Sequence, residues 1–174
     1  MELEKLIKDS GFDTIGSFDA SQLEARDEVR DMCAVDRCHH YDKNWSCPPA
    51  CGSVEFYRKK FKRYSTGYLF QTIARMRDAF DYEGIETGSK EHKQRLMALQ
   101  DNLKTVKDEI WILGAGTCPL CETCTYPDAP CLHPDRRLVS MEAAGLVVSD
   151  VCALANVPYY HGEKTIAFCS CALM

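Results

Sequence analysis

The stretch that decides the reading is Ile110-Trp111-Ile112-Leu113-Gly114-Ala115-Gly116-Thr117-Cys118-Pro119-Leu120-Cys121-Glu122-Thr123-Cys124. Its first part is a short apolar run bounded by glycines, the pattern of a buried strand. Its second part is C-x2-C-x2-C, with Cys131 following after six residues. A strand therefore runs straight into a loop that gathers three thiols in one turn of backbone. A cubane iron–sulfur cluster is gripped in this way, with a more distant cysteine as fourth ligand. A structural zinc ion usually takes its ligands as two separated pairs, so the third closely spaced cysteine favours a [4Fe-4S] cluster and keeps zinc as the alternative. Gly114 and Gly116 let backbone pass close to such a group. Arg136 and Arg137 follow closely and could neutralise an anionic cluster, or be solvated loop charges. His133 is a further donor type, surplus if four cysteines suffice.

Working towards the N-terminus, a second set reads Cys33, Cys38, Cys47 and Cys51, four cysteines within one short segment. Its spacing matches no zinc knuckle, yet His39 and His40 keep a Cys/His zinc site open beside a cluster. Trp45 could shield a cluster from water, and Pro48 and Pro49 stiffen the turn between Cys47 and Cys51. Ser53 is placed to cap a helix whose positive end would face this loop. That helix carries Arg58, Lys59, Lys60, Lys62 and Arg63, read either as a solvated face or as a dock for an acidic redox partner.

The remaining pattern alternates helices and strands. Leu3, Leu6 and Ile7 suit a helix stopped by Gly11. Asp13–Phe18, Gly67–Ile73, Ile110–Leu113 and Thr165–Leu173 read as strands. Val54, Tyr57, Phe61 and Tyr64 share a helical face, and Ser89 is expected to cap a helix with Leu96, Leu99, Leu103, Val106 and Ile110 inward. Ser140 is expected to open a short helix ended by Gly145, and Ser149 another running to about Asn156. The expectation is an α+β fold, with α/β as the alternative: one domain over residues 1–174 holding a mixed sheet of about four strands, packed helices and two cysteine-rich metal-binding loops. Cys169 and Cys171 would share a strand face, as cluster neighbours or as core, and Cys152 reads as core.

Composition sets the outer bounds. Of 174 residues 11 are cysteine, an odd number that cannot pair fully within the chain. That density is below the roughly 8–10% typical of small disulfide scaffolds. The N-terminus MELEKLIKDSG has no apolar targeting segment, and no apolar run approaches the roughly 18–20 residues of a membrane span. A cytoplasmic location is therefore expected, where reduced cysteines serve metals more than disulfides. The net charge of −5 argues against nucleic acid as the main partner. No phosphate loop, dinucleotide fingerprint or Ser–His–Asp set is present. Oligomeric state is not encoded in any feature above.

Both cysteine segments resemble the DUF2284 family of predicted metal-binding proteins. The first resemblance lies in Tyr41-x3-Trp45-Ser46-Cys47-Pro48-Pro49. The second lies in Gly116-Thr117-Cys118-Pro119-Leu120-Cys121-Glu122-Thr123-Cys124, in Cys131-Leu132-His133-Pro134-Asp135-Arg136-Arg137 and in Ser140-Met141-Glu142-Ala143-Ala144-Gly145. The resemblance spans about residue 25 to the end. It implies a prokaryotic protein, often from anaerobes, that binds metal, with Cys33, Cys38 and Cys47 as matched positions. Spacing and resemblance together lead to the expectation of a protein with one or two [4Fe-4S] clusters, serving electron transfer or redox support of a protein partner. A zinc-stabilised structural module, or an enzyme with substrate at an open iron site, are the alternatives.

Overall fold

The computed structural model describes residues 2–104, 106 and 109–174. Five strands form one mixed sheet: β1 (Thr14–Asp19), β2 (Thr66–Arg75), β3 (Trp111–Gly114), β4 (Val139–Ser140) and β5 (Thr165–Leu173). Their order is β1-β2-β5-β3-β4, antiparallel throughout except for the parallel β3–β4 pair. The central ladder pairs β2 with β5 from Gly67↔Leu173 to Arg75↔Thr165. Helices α1 (Glu2–Asp9), α2 (Asp27–Ala34), α3 (Val54–Phe61), α4 (Tyr82–Leu103) and α5 (Val148–Leu154) complete the α+β architecture.

Strand alternation divides the interior in two. Leu69, Leu113, Cys169, Cys171 and Leu173 point to one face, where Val54, Tyr57 and Phe61 of α3 and Val151 and Cys152 of α5 cover them. Tyr68, Phe70, Ile112 and Ala172 point to the other, under Leu3 and Ile7 of α1 and Leu96 and Leu99 of α4. Burying aliphatic or aromatic side chains of this size contributes about 1.5–3 kcal/mol each. The second face also holds a polar core: His92 of α4 lies between Thr72 Oγ1 (2.9 Å) and Ser170 Oγ (2.7 Å). Burial pushes the His92 pKa down to about 3, so the imidazole stays neutral.

The expected cap at Ser53 is present; its side chain accepts from Phe56 N–H at 3.1 Å. Four helix expectations are corrected, the first because α4 ends at Leu103, short of Val106 and Ile110. The long helix begins at Tyr82, with Asp81 accepting from Gly84 N–H at 3.1 Å, and Ser89 lies inside it. Gly84 and Gly88 had interrupted the apolar rhythm there. Gly88 is required by packing, since a Cβ would lie 2.4 Å from the Ala74 Cβ on β2. Ser140 opens a turn, because its hydroxyl accepts from Ala143 N–H at 3.0 Å and Gly145 reverses the chain at φ +87°. Helix α5 starts at Val148 with Val147 as cap, one residue before Ser149. Two elements were not anticipated: β4, only two residues long, and α2, which buries none of its residues and so shows no apolar face.

Candidate metal centre

The second cysteine segment leaves β3 and runs without helix or strand as far as β4. Its four cysteines, Cys118, Cys121, Cys124 and Cys131, all line one cavity of about 450 Å³. Each is partly buried. Local hydrogen bonds hold the tip: Ala129 N–H donates to Thr125 C=O at 2.9 Å, and the Thr125 hydroxyl donates to Pro130 C=O at 2.8 Å.

The first cysteine segment forms the opposite wall of that cavity. Trp45 N–H donates to Cys124 Sγ at 3.4 Å, and the Trp45 indole donates to Ala129 C=O at 3.0 Å. Cys118 N–H donates to Ser46 Oγ at 3.1 Å, and Ser46 is itself fixed by Asn44 Oδ1 at 2.6 Å. The Tyr126 hydroxyl meets Asp42, and its ring packs edge-on against Trp45 at 4.9 Å. Trp45, expected to shield the first cysteine set, therefore serves the second.

Charge follows the same geometry. Lys93 and Arg137 reach the cavity, as do His40 and His133. Lys93 lies close to both Cys118 and Cys47, and burial holds its pKa below the usual lysine range. Arg136, by contrast, turns away to Asp101 at 2.9 Å. Two cations beside four thiols suit an anionic group, whose charge would otherwise be uncompensated in a partly dry site.

The first set is more dispersed. Cys33 lies on the last turn of α2 and not in a loop; Cys38 is exposed, Cys47 half-buried and Cys51 buried. Cys51 N–H donates to Cys47 C=O at 3.0 Å, which closes that pair into one turn. The thiols of Cys33, Cys47 and Cys51 are pushed up chiefly by burial; Cys33 also feels Cys38 and Cys47, Cys47 feels Cys51 and Cys38, and Arg30 and Arg137 oppose the shift at Cys51. Arg30 locks the surroundings by donating to Gly52 C=O at 2.7 Å and to Ala143 C=O. Tyr57 donates its hydroxyl to Cys51 C=O. His39 does not line the cavity, and His161 is engaged with Gln71 at 2.9 Å.

Among the described residues, no three or more His, Cys, Asp or Glu side chains converge as a single metal ion would require. The four cysteines of the second set instead share the lining of one cavity. The four thiols, one N–H aimed at a sulfur and two nearby cations fit a cluster held by Cys118, Cys121, Cys124 and Cys131.

The family profile of DUF2284, described as a predicted metal-binding protein, matches residues 16–174. The chain belongs to the DUF2284 family. No curated protein matches it. Two solved structures are similar. One is epoxyqueuosine reductase from Bacillus subtilis with its catalytic loop swung out of the active site, at 13% identity and TM-score 0.43. The other is epoxyqueuosine reductase with an epoxyqueuosine-modified tRNA stem loop, at 14% identity and TM-score 0.39. The alignments cover 99% and 98% of this DUF2284 chain but 44% of each reductase chain, so it spans less than half their length.

The basic face of α3 is largely neutralised from within this DUF2284 member. Arg58 pairs with Asp27 at 2.6 Å, Lys59 with Glu55 at 3.5 Å and Arg63 with Glu109 at 3.3 Å. Lys60 lies over the Trp111 ring at 3.8 Å. No described helix is long and apolar enough to cross a membrane.

Proposed function

We propose that the chain holds a [4Fe-4S] cluster on Cys118, Cys121, Cys124 and Cys131, a second on Cys33, Cys38, Cys47 and Cys51, and passes electrons to a protein partner. The observation that carries this reading is the common cavity lined by all four cysteines of the second set. A cluster bound there supplies one-electron storage. The Trp45 N–H aimed at Cys124 and the cations of Lys93 and Arg137 stabilise negative charge on the thiolates and favour the reduced state. Ser46 holds the Cys118 backbone in place. Trp45 lines one side of the cavity and is braced by the edge-on Tyr126 ring.

Iron, acid-labile sulfide and zinc content of anaerobically prepared protein test the proposal. About eight irons per chain is the expected result, and about four would restrict the assignment to one of the two sets. Zinc in place of iron and sulfide would overturn it in favour of a structural metal module.

A further inference from the structure

Three cysteines lie outside both sets. Cys171 is fully buried in the core. Cys152 and Cys169 are different, because they share a polar partner. Cys152 projects from α5 and Cys169 from β5, where it stands opposite Gln71 of β2. The Gln71 side-chain nitrogen lies 3.6 Å from Cys152 Sγ and 3.3 Å from Cys169 Sγ. The same nitrogen also donates to Pro158 C=O at 3.0 Å.

The orientation of that amide is fixed independently. Gln71 Oε1 accepts from the Thr14 hydroxyl at 2.7 Å and meets His161 Nε2 at 2.9 Å, while the Pro158 carbonyl, which can only accept, requires the nitrogen on the side of the sulfurs. Gln71 is completely buried, and a buried amide is costly unless paired. Two apolar side chains would fill this space without needing it. Access is one-sided: Cys169 contributes to the wall of a separate cavity of about 190 Å³, bordered by Ser89, Glu142 and Tyr159.

We infer that Cys152 and Cys169 form a two-electron dithiol–disulfide centre, oxidised by a small peroxide entering beside Cys169. The Cys169 sulfur attacks the peroxide, the O–O bond breaks, and a sulfenic acid forms with release of one water. Cys152 then displaces the sulfenic hydroxyl, the S–S bond forms, and a second water leaves. Two thiols and one hydrogen peroxide give one disulfide and two waters; the sulfurs lose two electrons and the peroxide gains them. A dithiol reductant reverses the step by exchange. The shared amide nitrogen, 3.6 Å from one sulfur and 3.3 Å from the other, brings the two thiols to one spot in the core. This centre does not rest on either metal assignment.

The test uses the native chain, prepared anaerobically and treated with equimolar hydrogen peroxide, then quenched in acid, alkylated and digested. The expected product is a peptide pair linked between Cys152 and Cys169, with loss of alkylation at both positions and recovery on adding dithiothreitol. The Cys152→Ser variant should keep its full metal content and leave Cys169 as a sulfenic acid that a dione probe captures. Full alkylation of both cysteines after peroxide has oxidised others would overturn the inference. Linkage of either to one of the eight loop cysteines, or loss of metal from Cys152→Ser, would do the same.

Discussion

The two four-cysteine segments differ in how their ligands are held. In the second, all four cysteines come from one irregular stretch and ring one cavity. In the first, the cysteines are spread over a helix end, an exposed loop position and a buried turn. The first segment nevertheless provides part of the wall of the second site, through Trp45 and Ser46. Short spacing thus yields a preformed cradle, whereas long spacing yields a clamp that shapes its neighbour. Each experiment below separates the two roles.

The largest effect is expected from Cys121→Ser combined with Cys124→Ser. About four irons per chain should be lost while the first set keeps its own; unchanged iron content would sink the cradle assignment. The acid response of the core comes next, as a reference that neither segment should alter. Above about pH 6.5, His92 is neutral in both folded and unfolded chains. As pH falls, the unfolded chain takes the proton, while the buried imidazole, held down to about 3, does not. Stability is therefore lost progressively from about pH 6.5 towards 3, amounting to about 3 kcal/mol by pH 4. Urea unfolding at several pH values should give this slope in the native chain and in the combined Cys121→Ser and Cys124→Ser variant, and a much flatter one in His92→Gln. An equal slope in His92→Gln would refute the assignment.

Arg30→Ala probes the clamp. It removes a charged donor from Gly52 and Ala143 carbonyls. A loss of about 2 kcal/mol is expected in denaturant unfolding, with metal released first from Cys33–Cys51. Metal loss confined to Cys118–Cys131 would reverse the roles. Trp45→Ala should have the smallest effect and the opposite selectivity. Supporting groups around a metal typically contribute about 10-fold in affinity, so about 10-fold faster transfer of metal from the second set to a chelator is expected. No change there would mean that the N–H to Cys124 and the indole contact are incidental.

Much of the framework was legible because it rests on local chemistry. Thr165–Leu173 alternates faces and is β5, and Ser53 caps α3. The α4 start was missed because two glycines, one dictated by contact with Ala74, break the apolar period. The Ser140–Gly145 turn was missed because a hydroxyl that can cap a helix closes a turn equally well. In the site, C-x2-C-x2-C with Cys131 identified the cavity-lining cysteines from spacing alone. Lys93 was not read as part of it, because it lies on a helix 25 residues before Cys118 and only folding brings them together. The pairing of Cys152 with Cys169 was equally hidden, since Gln71 on a third element makes it.

The placement of the two tryptophans gives the molecule a built-in pair of optical reporters. Trp111 stacks against both Tyr57 and Phe61, with the Lys60 ammonium over its ring, so its emission follows the integrity of the core. Trp45 leans on Tyr126 next to Cys124, so its emission follows docking of the two segments and is quenched by any coloured group bound beside it. A Trp111→Phe chain would fluoresce from the candidate centre alone, which makes loading and loss of metal readable in real time without separating the products.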